Sequence, residues 1–124
     1  MDQIHEFSFE RLKAWMIARD LVGLVYRLTK RFLRDELFGM TCQSRRASVS
    51  VSANIAKGTY RQSGKDRNHF FEIRFGSLME LLNLMILSFD LNYLVGQELA
   101  EIRSKTQETS LVITGLSKST QNRK

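Results

Sequence analysis

Apolar residues return every three or four positions along four stretches of this chain, with polar residues between them, and that period belongs to helices. Over about 9–33, Trp15, Ala18, Leu21, Val22, Val25, Leu28 and Phe32 share one side, while Lys13, Asp20, Arg27 and Arg31 fall opposite. A second stretch covers about 41–61, with Thr41 placed as its N-cap. Ser63 and Asp66 carry the spacing of a capping box ahead of a third, about 66–92. In the fourth, about 97–117, Leu99, Ile102, Thr106, Thr109, Ile113 and Leu116 make a narrow seam. Residues 118–124 read as a frayed polar tail. The short breaks contain Gly39, Gly64 and Gly96, and no proline interrupts any stretch. No segment alternates with period two. The pattern predicts an all-α fold: an antiparallel up-down four-helix bundle forming one domain over 1–124.

Two of these helices carry more apolar surface than one small bundle uses. At ~100° per residue, Met40, Ala47, Val51, Ile55 and Gly58 share one arc of the second helix. Cys42, Val49, Ala53 and Ala56 share another, roughly opposite. A serine strip (Ser44, Ser48, Ser52) and a cationic strip (Arg46, Ser50, Asn54, Lys57, Arg61) separate them. The third helix is apolar nearly all round, from Phe70 to Phe89, and Gly76 and Ser77 leave room for a close neighbour. Surplus apolar faces of this kind point to a homo-oligomer.

Charge changes the picture further. The 124 residues carry a net charge of +6, and the excess is local: from Arg27 to Arg74 eleven Lys and Arg stand against four Asp and Glu. Such asymmetry is the footprint expected of a surface for nucleic acid or for an acidic protein. The connection Arg61-Gln62-Ser63-Gly64-Lys65-Asp66-Arg67 combines cations, small polar groups and a helix N-terminus, as a phosphate-contacting turn does. Aromatic residues for base stacking are few there, Tyr60 and His69 being the nearest.

Catalytic chemistry finds little material. Two histidines, His5 and His69, and one cysteine, Cys42, are too few for a recognisable zinc or redox site, and no Gly-rich phosphate loop or nucleophile elbow is present. Glu80, inside an apolar run, is either a buried acid or the partner of Arg45 or Arg46. No enzyme activity, cofactor or metal is expected. The residues Met1 to Glu6 lack the apolar core of a signal peptide, and the run from Leu78 to Leu91 is too short and too polar to span a membrane. A cytoplasmic protein is expected.

The second helix then becomes specific. Gln43-Ser44-Arg45-Arg46-Ala47-Ser48-Val49-Ser50-Val51-Ser52-Ala53-Asn54-Ile55-Ala56-Lys57-Gly58 resembles the signature of the bacterial four helix bundle proteins, also called 23S rRNA-intervening sequence proteins. Phe9 to Trp15, Tyr26 to Phe32, and Gly76-Ser77-Leu78-Met79-Glu80-Leu81 are similar to further segments of that family, in order. The chain departs from the family at Leu33, where a proline is usual, and at Lys57, where a glutamate is usual. The resemblance implies a bundle that assembles into a ring, typically a pentamer, without enzymatic activity. Relatives of that fold are accessory proteins of retroelements that hold a reverse transcriptase and RNA. Under this reading Arg46, Lys57, Arg61, Lys65 and Arg67 are the expected nucleic-acid contacts, reading phosphates and not bases. Arg45, Ser50, Asn54, Gly58, Gly76, Ser77 and Glu80 are expected to hold helices or subunits together. The competing expectation is a scaffold that recruits an acidic protein partner through the same charge.

Overall fold

The computed structural model describes residues 4–60 and 63–122, with side chains as far as Leu116. It is all helical, with no strand among the described residues. The four main helices are α1 (Lys13–Thr29), α2 (Cys42–Thr59), α3 (Gly64–Asp90) and α4 (Gly96–Asn122). Each packs on two neighbours, in the cyclic order α1, α2, α3, α4, and the diagonal pairs scarcely touch. Leu21, Val25, Val51, Ile55, Leu78, Leu81, Met85, Ile102 and Ile113 fill the centre. Those of α1, α2 and α4 fall on the apolar faces that the spacing marks, while in α3, apolar nearly all round in sequence, the packing selects Leu78, Leu81 and Met85. Fully burying one such side chain contributes about 1.5–3 kcal/mol.

The helix ends differ from expectation in instructive ways. The first helix was expected over 9–33, but Ser8–Arg11 is a separate 3-10 turn and α1 stops at Thr29. Leu33, standing where the family usually has proline, does not lengthen the helix: it is extended (ψ 143°) and leads into a 3-10 turn at Arg34–Glu36. Tertiary contacts end α1 instead. The Thr29 hydroxyl donates back to the Val25 carbonyl (2.7 Å) and accepts from Arg45 Nε (2.9 Å). Phe32 turns inward against Tyr93, with ring centroids 5.4 Å apart.

Thr41 is not an N-cap. It is helical (φ −62°, ψ −54°), buried, and makes no capping hydrogen bond, because a turn over Leu37–Thr41, kinked at Gly39 (φ −104°, ψ −108°), leads directly into α2. Glu36 organises that connection. One carboxylate oxygen accepts from the Met40 N–H (3.3 Å) and the other from the Tyr93 hydroxyl (2.8 Å). This bond raises the Tyr93 pKa above its ordinary value, burial and the neighbouring carboxylates adding to it.

Ser63 does cap α3, accepting from the Asp66 N–H at 3.0 Å, and the helix begins two residues earlier than the spacing placed it. α3 ends where Asn92 adopts a left-handed conformation (φ 68°), which asparagine tolerates better than most residues. At the start of α4 the Glu98 carboxylate accepts from the Val95 N–H (2.9 Å) and also pairs with Arg31. α4 continues to Asn122, so most of the expected tail is helical.

Candidate nucleic-acid interface

The cationic strip expected on α2 divides into two uses. Arg46 and Lys57 are exposed on the outside of the α2–α3 pair. Ser50 and Asn54, between them in sequence, are withdrawn from water: the Ser50 hydroxyl meets the Ser77 hydroxyl of α3 at 2.9 Å, and the buried Asn54 donates from Nδ2 back along α2 to the Ser50 carbonyl (2.8 Å) and hydroxyl (3.2 Å). A polar groove of about 380 Å³ lies above this contact, lined by Gln43, Arg46, Ala47, Ser50, Ser77 and Glu80.

Further along, Lys65 is exposed in the first turn of α3, beyond the Ser63 cap. Arg67 is half-buried and already engaged with a neighbour. Arg61 lies outside the described residues. Arg46, Lys57 and Lys65 enter no ion pair among the described residues. On the other side of the bundle three cations are paired, Arg27 with Glu101 at 3.4 Å, Arg31 with Glu98, and Lys105 with Glu108 at 2.8 Å, while Lys13, Arg19, Lys30 and Arg103 are exposed and in no ion pair among the described residues. Positive charge outside any ion pair therefore lies on α2 and the start of α3 and also on the α1 and α4 surface.

The residues expected to hold helices together fall into three groups. Arg45 joins α2 to α1, its guanidinium 4.5 Å from the centre of the Tyr26 ring while Nε bonds Thr29. Gly58 lets α3 approach α2: a Cβ there would lie 3.2 Å from Phe70 Cβ and 3.3 Å from an Arg74 terminal nitrogen. Gly76, by contrast, has nothing within 4 Å of where a Cβ would stand. Glu80 corrects the expectation outright, being exposed and in no ion pair with Arg45 or Arg46 among the described residues. It lines the polar groove together with Arg46.

A family model for the 23S rRNA-intervening sequence protein matches residues 10–115. The chain belongs to that family. No curated protein matches it. The matched span takes in all of α1, α2 and α3, and with them every candidate residue from Arg45 to Glu80.

Two features escaped sequence reasoning. Arg74 is only 4% exposed, beside Gly58 and with its guanidinium 5.6 Å from the Phe71 ring centre, and its Nε has no hydrogen-bond partner. Burial lowers its pKa to about 10. Its position four residues before Leu78, on the buried face of α3, was the available signal. The other is a groove of about 680 Å³ between α1 and α2, where the Cys42–Val49 arc meets Tyr26, Leu37 and Phe38. The arc itself was legible, and the structure leaves Val49 exposed and Cys42 half-buried on the outside of the bundle. Its second wall comes from the α1–α2 connection, whose course no periodicity reveals. Among the described residues no group of His, Cys, Asp and Glu is placed to hold a metal, and no helix is long and apolar enough to cross a membrane.

Proposed function

We propose that this protein is a non-enzymatic, cytoplasmic, antiparallel up-down bundle that assembles into a ring, a pentamer by the family expectation, and binds structured RNA. Arg46, Lys57, Arg61, Lys65 and Arg67 are its phosphate contacts. The observation that carries this reading is that Arg46, Lys57 and Lys65, on α2 and the start of α3, are exposed and enter no ion pair among the described residues. Cations left without carboxylates keep their full field for a polyanion, and symmetry repeats them around a ring, so that weak single contacts act together. Few aromatic side chains lie among them, which favours backbone contacts over base reading.

The test is fluorescence anisotropy with a structured RNA and a DNA duplex across a salt titration, alongside mass by light scattering. Each phosphate contact steepens the log-log salt dependence by about 0.7–0.9. Charge reversal at Arg61 and Lys65 is expected to weaken RNA binding at least ~tenfold with the assembly mass unchanged. Undiminished binding by that variant would reject this face as the RNA site. The scarcity of stacking residues also supports a second reading, a scaffold docking an acidic protein such as a polymerase, and capture that survives nuclease treatment would favour it.

A further inference from the structure

The α1–α2 groove and the segment before α1 have matching chemistry at opposite ends of the molecule. The groove is apolar in its walls, through Tyr26, Leu37, Phe38 and Val49, and carries Arg45 and Arg46 with no carboxylate among its lining residues. Phe38 is 87% exposed at its rim. Arg45 is preorganised, stacked on Tyr26 and bonded to Thr29, so little side-chain freedom is lost when it meets an anion. Residues 1–10 contain Asp2, Glu6 and Glu10 and no Lys or Arg. Within them Ile4 is 90% and Phe7 56% exposed, an apolar pair with an acid between.

That leader is anchored at its base. The Ser8 hydroxyl meets the Tyr60 hydroxyl at 3.4 Å, and Phe9 sits edge-on to Trp15 (5.1 Å) and Tyr60 (6.4 Å). From Tyr60 back to Val49, the near wall of the groove, is roughly 16 Å of helix. Ile4 to Ser8 spans at most about 14 Å fully extended. Phe7, adjacent to the anchored Ser8, cannot leave that end at all. A single chain therefore cannot seat both Ile4 and Phe7 in its own groove, whereas a second copy can.

We infer that the leader of one copy docks in the α1–α2 groove of the next, with Ile4 and Phe7 against Val49 and Phe38 and Glu6 toward Arg45. This rests on the assembly proposed above and names its contact. Because each copy offers one leader and one groove at opposite ends of α2, the contact joins two different surfaces and is satisfied in every copy only by a closed assembly, a reciprocal pair or a ring.

The test uses full-length chains and light scattering at one concentration. The variant Ile4→Asp/Phe7→Asp loses the leader, and Val49→Glu spoils the groove. All three positions are exposed, so circular dichroism is expected to show unchanged helicity. Each variant alone should fall to the single-chain mass of 14.4 kDa. Their equimolar mixture should give twice that mass, since each still offers one intact partner surface. Variants that keep the wild-type oligomeric mass would overturn the inference while leaving the assembly standing. A wild type that is itself a single chain would overturn the assembly and the inference together.

Discussion

Gly58→Ala sets two effects of known size against each other. Near the end of α2, replacing glycine by alanine gains helix propensity of at most about 1 kcal/mol. Against this, the new methyl would lie 3.2 Å from Phe70 Cβ, 3.6 Å from Phe70 Cγ and 3.3 Å from an Arg74 terminal nitrogen. The guanidinium can swing aside, but Phe70 Cβ is fixed to the α3 backbone. Relief requires α2 and α3 to separate by a few tenths of an ångström, which also stretches the 2.9 Å Ser50–Ser77 bond. Overpacking of this kind costs about 1–3 kcal/mol. The steric term therefore wins, and a net loss of about 1 kcal/mol is expected. Gly23→Ala is the control: Gly23 lies inside α1, exposed, with nothing within 4 Å of its added Cβ, so the full propensity gain of about 0.5–1 kcal/mol should appear. Urea denaturation followed by far-UV circular dichroism, at fixed chain concentration because assembly shifts apparent stability, reads both. In melting temperature the two variants should depart from wild type in opposite directions, by about 4 °C per kcal/mol. If Gly58→Ala stabilises as Gly23→Ala does, the close α2–α3 approach that this reasoning rests on is wrong.

Three further outcomes follow from the same contacts. Arg74→Met nearly keeps the volume of a buried side chain and removes a desolvated charge that has no carboxylate partner among the described residues, so stability should rise; a loss in denaturant titration would mean the guanidinium has a binding role. Tyr93→Phe deletes the bond to Glu36 and should lower stability at neutral pH. Because folding raises the Tyr93 pKa, the folded state holds its proton longer, and wild-type stability should fall as pH climbs through and above the ordinary tyrosine value near ~10; a Tyr93→Phe variant with the same alkaline slope would show that the bond does not form. Gly76→Ala meets no atom within the chain and should leave folding unchanged or slightly improved; a drop in oligomeric mass on light scattering would place a neighbouring subunit against that helix face, and an unchanged mass would remove Gly76 from any interface.

The four helices, their core stripes and the scarcity of catalytic material were legible in the chain because a 3.6-residue period and residue chemistry are local properties. The family signature was legible for the same reason, as a run of residues at fixed spacing. Periodicity also separated Val49 and Cys42 from the arc of Ala47, Val51 and Ile55 before any contact was known. It could not say how far a neighbouring helix reaches round. Ser50 and Asn54 share a strip with Arg46 and Lys57, yet packing withdraws the first two from water, Ser50 against Ser77 of α3, and leaves the cations exposed. The end of α1 is likewise met by distant partners, Arg45 on Thr29 and Tyr93 against Phe32, and is not extended by the residue at position 33. Arg74 and the α1–α2 groove belong to the same class: the first is buried, and the second is formed, only when segments far apart in sequence are packed together, since burial depends on what covers a face and not on which residues compose it.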